Sequence, residues 1–250
     1  MAITAMTTAG LLVVLAGALS YLALVFVLHR FTYGTWKFHA VVGVGMALAL
    51  AGWALGGSGA VALAAVAVGI LWFLAARHEL QLTGSERLKV RVGDHIPAFA
   101  VAKVDGSPFT EQDLIASAPA FLGLYRGWWC PSSKAQLDAL LHDVHMLSDA
   151  GLRVFSASVD GTAEAAPMQE HVGNKITILC NVTESFLDDV GVRDQRGAPW
   201  YDRLLYGAAH RDISMPAVLV VDKDGKVVFA HRSTRLDTRV PSAAILAKLK

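Results

Sequence analysis

The residues best suited to chemistry lie where an apolar segment gives way to a helical pattern. The run Ala120–Tyr125 is bracketed by Pro119 and Gly127 and is typical of a buried strand. The sequence Trp-Trp-Cys-Pro-Ser-Ser follows at 128–133, and leucine and valine then recur at helical spacing. We therefore expect Cys130 to stand at the turn from a strand into a helix.

This position favours nucleophilic chemistry at Cys130. The unpaired N–H groups and the dipole of a helix N-terminus stabilise an anion, and the thiolate is the nucleophilic form of cysteine. Arg126 adds positive charge, and Pro131 suits the first helical turn, where its missing N–H costs nothing. A hydroxyl at Ser133 can donate a hydrogen bond to the thiolate. We predict Cys130, Arg126 and Ser133 as catalytic residues. The alternative is a Cys130 that merely fills the core and an Arg126 that lies solvated on the surface.

These residues resemble the thioredoxin superfamily. Residues Trp129–Ser133 match its W-C-x-x-C motif with serine in place of the second cysteine. The wider segment Tyr125–Pro131 resembles the redoxin branch, the alkyl-hydroperoxide-reductase/thiol-specific-antioxidant (AhpC/TSA) proteins, and Gly93–Phe99 resembles the G-x-x-x-P-x-F opening of such domains. The resemblance implies a thioredoxin-like α/β fold over residues 93–250, with a mixed sheet and helices on both faces.

The same resemblance implies substrate contacts near a proline. The pair Met215-Pro216 precedes a strand–turn–strand pattern and resembles the superfamily's cis-proline loop, which faces the active-site cysteine and pairs with bound substrate. On this basis Trp129, Pro131, Met215 and Pro216 are predicted to bind substrate. The alternative is that Pro216 only begins an edge strand.

Serine at position 133 changes the expected reaction cycle. In dithiol relatives the second cysteine resolves the mixed disulfide, and the peroxide-reacting cysteine of peroxiredoxins aligns with that same position. Cys130 can attack a disulfide or a peroxide, but its release then requires another thiol. The candidates are Cys180, a small thiol of the glutathione type, and a partner thioredoxin. Cys180 ends the apolar run Ile176–Cys180, where simple core packing is the alternative.

Two classes of function fit this pattern. The first is a membrane-anchored thiol oxidoreductase or antioxidant of the redoxin type. The second is a non-catalytic thioredoxin-fold module that holds a partner or client protein at the membrane. No cofactor or metal is expected, because no zinc-site spacing, phosphate-binding loop or Ser-His-Asp arrangement is recognisable. Three histidines near the apolar segments leave open an electron-transfer role with haem: His29, His39 and His78.

The N-terminal third predicts a membrane anchor. The chain is 54% hydrophobic over 250 residues, and residues 1–28 contain no Asp, Glu, Lys or Arg. The apolar runs are long enough to cross a bilayer as helices, although a signal peptide is the alternative for the first run. We predict an anchor over residues 1–76 and a charged linker over 77–92. The predicted spans cover about 9–28, 40–56 and 60–76. Small residues at GxxxG-like spacing, Gly45, Ala49, Gly52 and Gly56, are typical of helices that pack closely in lipid.

Charge sets the expected orientation and partners. Arg30 and Lys37 lie in the first loop, and further Arg and Lys residues follow the third span. The positive-inside rule therefore predicts a multi-pass protein of the cell membrane with its redoxin domain on the cytoplasmic side; an extracytoplasmic domain is the alternative. A net charge of +1 argues against nucleic-acid binding. The expected partners are the membrane, a small peroxide or protein disulfide, and a thiol reductant of the thioredoxin or glutathione type.

Overall fold

The chain folds into two compact units, Met1–Gln81 and Leu82–Lys250. The computed structural model describes residues 2–82, 88–209 and 211–249. The predicted charged linker, 77–92, includes residues 83–87, which lie outside the described residues.

Three long apolar helices lie in the described part of the first unit. They are α1 (Ala2–Leu22), extended by a π-helical turn (Ala23–Val27), α2 (Trp36–Ala54) and α3 (Gly59–Leu80). By length and composition each could cross a membrane. A Gly-Ser loop separates α2 from α3: Gly56 has a φ of +100°, and Ser58 caps α3 by accepting the N–H of Val61 at 3.4 Å.

Small residues bring α1 and α2 into close contact. A Cβ atom built on Gly45 would lie 2.7 Å from the backbone N of Val14, and one on Gly10 would lie 2.4 Å from the backbone N of Ala49. These approaches leave no room for a side chain, so the stripe Gly45–Ala49–Gly52 is the contact face of α2. Gly56 does not extend this stripe, since a Cβ there would meet nothing within 4 Å.

Adding one methyl group should therefore destabilise the helical unit at one glycine of α2 and not at another. We expect Gly45→Ala to lower the stability of the helical unit by about 1–3 kcal/mol, because the added Cβ forces the backbones of α1 and α2 apart. Gly43→Ala is the matched control, since its Cβ would meet nothing within 4 Å. The midpoint of SDS-induced loss of helical circular dichroism, measured on the full chain, reports the difference. Equal midpoints for the two variants would contradict this packing.

The described residues of the second unit form nine strands. They are β1 (Ala100–Lys103), β2 (Pro108–Thr110), β3 (Ala120–Leu124), β4 (Arg153–Ala157), β5 (Thr177–Cys180), β6 (Arg193–Asp194), β7 (Ile213–Ser214), β8 (Ala217–Val221) and β9 (Val227–Arg232). Seven of them form a sheet in the order β2-β1-β5-β4-β3-β8-β9, and β6 pairs with β7 separately. The central strands β3, β4 and β5 are parallel, whereas the outer neighbours are antiparallel. The carboxyl ends of β3 and β4 therefore lie together.

Helices cover both faces of this sheet. They are α4 (Glu111–Ala116), α5 (Pro131–Asp149), α6 (Thr162–Val172), α7 (Glu184–Val190), α8 (Trp200–Tyr206) and α9 (Ser242–Lys248). Alternation along β3 assigns the faces, because Leu122 packs with Leu187 of α7 whereas Phe121 packs with Leu137 of α5. Helices α5, α6 and α9 thus cover one face, and α4 and α7 cover the other. This confirms the predicted α/β architecture.

Candidate active site

Cys130 lies at the junction predicted for it. It is the N-cap residue of α5, and its carbonyl accepts the backbone N–H groups of Ser133 at 3.0 Å and Lys134 at 3.2 Å. Pro131 occupies the first turn of the helix, where no intrahelical partner is lost. The loop before it requires glycine, because a Cβ on Gly127 would lie 2.5 Å from the indole nitrogen of Trp129. Cys130 is therefore held at the positive end of a 19-residue helix.

The hydroxyl beside the sulfur belongs to Ser132, not to Ser133. Ser132 Oγ lies 3.0 Å from Cys130 Sγ, whereas Ser133 Oγ accepts the backbone N–H of Arg126 at 3.2 Å. Side chains on a helix lean towards its N-terminus, which carries the Ser133 hydroxyl back to the end of the preceding strand. The predicted contact between Ser133 and the thiolate is thus replaced by Ser132, and Ser133 fixes the backbone of Arg126.

Arg126 is buried beside the thiol rather than solvated on the surface. Its side chain is 5% exposed, and Nη1 lies 3.9 Å from Cys130 Sγ. The guanidinium carbon lies 5.4 Å from the centre of the Trp129 ring, a distance suited to a cation–π contact. Within the described part of the chain, Arg126 Nε has no hydrogen-bond acceptor. The site therefore holds a cation with a free donor next to its only sulfur nucleophile.

Two of the other predicted substrate-binding residues share an apolar cluster with Cys130. Trp129 and Met215 are buried in the same apolar cluster as Cys130, whereas Pro216 is half-buried. The Met215–Pro216 bond is not cis; the cis peptide bond among the described residues is Ala118–Pro119. The backbone groups on either side of this trans bond are hydrogen-bonded. The Met215 N–H donates to the Val192 carbonyl at 2.7 Å, and the Pro216 carbonyl accepts the Ser233 N–H at 2.8 Å.

The geometry does not bring Cys180 to Cys130. Both thiols are free, and Cys180 packs against the α5 side of the sheet, whereas Cys130 belongs to the cluster on the opposite side. The Cys180 side chain is fully buried. Burial, with a smaller contribution from the charge of Asp160, raises the pKa of Cys180 to about 11. It is therefore a neutral thiol near neutral pH and a weak nucleophile.

Asp160, a buried carboxylate that supports the cysteine loop, is not among the residues predicted from the sequence. Asp160 follows β4, and its Oδ2 accepts the Trp128 backbone N–H at 2.8 Å and the Ser158 hydroxyl at 2.8 Å. Arg211 Nη2 lies 3.6 Å from Oδ1 and also pairs with Glu164. The available signal is the apolar run at 153–159, directly before Asp160, which is typical of a buried strand. Because that strand, β4, is parallel to β3, its carboxyl end lies beside the loop that leads to Cys130.

Burial controls the ionisation of Asp160. It raises the pKa of this carboxyl to about 6 from 3.8, although the hydrogen bonds from Ser158 and Trp128 and the charge of Arg211 oppose the rise. On the helix side, burial lowers the pKa of Lys134, against the opposing charge of Cys130. The loop is thus fixed by an acid that changes charge in a mildly acidic range.

The free energy of unfolding should fall as the pH rises and Asp160 loses its proton. The folded state binds the Asp160 proton more tightly than the unfolded chain, so its stabilising contribution is complete below pH 3.8 and is lost as the pH rises through about 6. The loss amounts to about 3 kcal/mol at most. Hydrogen exchange of the β3 and β4 amides in the full chain, corrected for intrinsic rates, should show this decline. Asp160→Asn, which keeps the acceptor for Trp128, should remove it; an identical decline in both proteins would contradict the assignment.

The described residues contain no group of three or more His, Cys, Asp or Glu side chains placed to hold a metal ion. Of the histidines raised as haem ligands, His39 contacts the Thr35 carbonyl through Nδ1 at 2.8 Å and packs against Trp72 and Phe73.

The family assignment follows from the whole domain. The sequence pattern of the AhpC/TSA family matches residues 92–230, more than half of the chain. The chain belongs to the AhpC/TSA family. This confirms the redoxin resemblance, and it supports a peroxidase or thiol oxidoreductase activity rather than a non-catalytic binding module. Comparison with curated protein sequences finds no match.

Solved structures agree with the AhpC/TSA assignment. Peroxidoxin BcpB from Mycobacterium tuberculosis is 17% identical, with a TM-score of 0.52 over 64% of this chain and 96% of that one. Thiol peroxidase from Chromobacterium violaceum is 18% identical, with a TM-score of 0.52 over 66% and 90%. Reduced Prx3 from Vibrio vulnificus, in complex with H2O2, is 17% identical, with a TM-score of 0.53 over 64% and 99%. At these identities the likeness establishes the fold.

Proposed function

We propose that this protein is a membrane-anchored redoxin-type peroxidase whose nucleophile is Cys130. The observation that carries the proposal is the buried Arg126, whose Nη1 lies 3.9 Å from Cys130 Sγ while its Nε has no acceptor within the described residues. The cation and the N-terminus of α5 together stabilise a thiolate. The free Nε–H is then a donor for an oxygen of the bound peroxide.

The reaction is a two-electron reduction of the peroxide. The Cys130 thiolate attacks one oxygen of ROOH, the O–O bond breaks, and the leaving RO⁻ takes a proton to give ROH. Cys130 becomes a sulfenic acid. An external thiol then displaces its hydroxyl, which leaves as water, and forms a mixed disulfide. A second external thiol attacks that disulfide and returns Cys130 to the reduced state.

Burial favours a small substrate over a protein disulfide. Cys130 is 3% exposed, so a protein disulfide cannot reach Sγ without opening the loop, whereas a peroxide is small. The structure of Vibrio vulnificus Prx3 in complex with H2O2 supports this substrate class by analogy. Disulfide exchange is the second candidate, because Cys130 occupies the first, attacking position of a W-C-x-x-C-like motif at the N-cap of α5.

The remaining predicted site residues take supporting roles in this proposal. Trp129 stacks beneath the Arg126 guanidinium, and Ser133 holds the Arg126 backbone. Pro131, Met215 and Pro216 form the wall that a bound substrate touches. An external thiol of the thioredoxin or glutathione type resolves the intermediate, since Cys180 packs on the opposite side of the sheet.

The anchor places this chemistry at a membrane. We infer that the three apolar helices span the cell membrane, and that the redoxin unit lies on the side of Arg30 and Lys37, which the positive-inside rule assigns to the cytoplasm. Protease digestion of sealed vesicles of known orientation tests the second inference. Digestion of the redoxin unit in right-side-out vesicles would overturn the cytoplasmic assignment.

A substrate comparison tests the proposed chemistry. The full chain in detergent is given hydrogen peroxide, a small disulfide or a protein disulfide, each with thioredoxin or glutathione as reductant. We expect peroxide consumption to exceed protein-disulfide reduction. Protein-disulfide reduction without peroxide consumption would replace the first proposal by the second.

A further inference from the structure

Helix α8 presents an exposed apolar face. Trp200 is 67% exposed, Leu204 75% and Leu205 54%. These three side chains lie on a helix of seven residues. Among the described residues of the second unit, the other large hydrophobic side chains with comparable exposure are Val92 and Met146, which lie singly on other segments. Such clustering marks an interaction surface rather than the ordinary scatter of apolar surface residues.

The opposite side of α8 is fixed to the protein. Asp202 is buried at 5% exposure, and the partly buried Tyr206 packs against the apolar cluster that contains Cys130 and Met215. Ala208 follows the helix and belongs to the same cluster. The apolar face is therefore held outward by a helix whose other side is anchored in the core.

The arginines and aspartates in the segment that carries α8 differ in exposure. Within residues 194–207, Arg196 and Arg203 are exposed, whereas Asp194 and Asp202 are buried. Arg196 pairs with Asp194 and leaves 43% of its side chain accessible. Trp, Tyr and Leu beside Arg form the composition of helices that lie in the headgroup region of a bilayer, where cations meet anionic lipids.

The candidate membrane spans would tether the second unit close to a bilayer. The second unit begins at Leu82, directly after the unit that contains the three candidate spans. A bilayer that holds those helices is thus permanently at high effective concentration for any surface of the second unit. A patch of three apolar side chains and two arginines is small, but a tethered unit needs less binding energy to dock on lipid than a free protein does.

We propose that α8 is an interfacial helix that docks the redoxin unit on an anionic lipid surface through Trp200, Leu204 and Leu205. Arg196 and Arg203 contact lipid phosphates at the rim. Because Tyr206 packs into the Cys130 cluster, docking turns this side of the sheet towards the bilayer. The proposal does not depend on the reaction at Cys130.

Site-directed spin labelling of the full chain tests the docking. In a Cys130→Ser background, where the buried Cys180 stays unlabelled, a nitroxide is attached at Leu204→Cys in nanodiscs that contain anionic lipid. Met146→Cys on α5, 44% exposed in the wild type, is the matched control. Collisions with oxygen, which concentrates in lipid, are compared with collisions with a water-soluble nickel chelate.

Each outcome decides the proposal. We expect the oxygen-to-nickel collision ratio to be several-fold higher at position 204 than at position 146. Equal ratios at the two sites would show a helix in water and overturn the docking. Low collision rates with both reagents at 204 would show that protein covers the helix, and would replace lipid by a second copy of the chain. Since the readout uses no peroxide, it stands apart from the peroxidase proposal.

Discussion

Replacing Cys130 by serine should reduce peroxide consumption to the uncatalysed rate while the fold is retained. The reaction requires a sulfur nucleophile, and a serine hydroxyl at this position is neither ionised nor oxidised by peroxide. The change removes no packing volume of consequence at the N-cap of α5, where serine is itself a favoured residue. Peroxide consumption by the full chain with excess thiol reductant is the measurement.

Cys180→Ala is the matched control for this result. It removes the chain's other thiol, which packs in the cluster on the opposite side of the sheet. We expect this variant to consume peroxide at nearly the wild-type rate when an external thiol is present. Turnover that survives in Cys130→Ser, or that vanishes in a folded Cys180→Ala protein, would contradict the assignment of roles.

Arg126→Met should produce the second largest loss. Methionine fills much of the buried space but removes the charge at 3.9 Å from Sγ and the free Nε donor. Loss of one such donor and its charge costs about 100-fold in the rate constant for peroxide. The Ser133 contact is unaffected, because it uses the backbone N–H of residue 126. Single-turnover oxidation of reduced protein measures the effect apart from the reductant.

Two further variants sharpen the Arg126 result. Arg126→Lys keeps the charge but lacks the planar fork and Nε, so it should recover only part of the rate. Arg153→Met removes an exposed arginine at the amino end of β4, opposite the start of β3, and should leave the rate unchanged. An Arg126→Met protein that reacts as fast as the Arg153→Met control would rule out a role for the buried guanidinium.

Local patterns in the sequence predicted the strand before Cys130, the helix after it and the strand–turn–strand that follows Met215-Pro216. Helix α6 spans Thr162–Val172, and Thr183 caps α7 by accepting the N–H of Phe186 at 3.3 Å. The Asp105-Gly106 turn joins β1 to β2, with Gly106 at a φ of +84°. These features depend on apolar period, caps and turn residues, which are local properties of the chain.

Several details of the site depend on the folded sheet or on side-chain direction, and local sequence patterns do not predict them. Whether Ser132 or Ser133 contacts the sulfur depends on side-chain direction in the first turn of α5, which residue spacing does not fix. The burial of Arg126 and the reach of Asp160 to Trp128 depend on which strand ends meet in the folded sheet. Helix α8 escaped prediction because seven residues are too few for a periodic signal.

The central claim is that Cys130 is the sulfur that peroxide oxidises. The most direct test treats the reduced full chain with one equivalent of hydrogen peroxide in the presence of a sulfenic-acid trap such as dimedone, and locates the adduct by peptide mass spectrometry. We expect a single adduct on the peptide that contains Cys130, with Cys180 unmodified. An adduct on Cys180, or an unmodified Cys130 in folded protein, would contradict it.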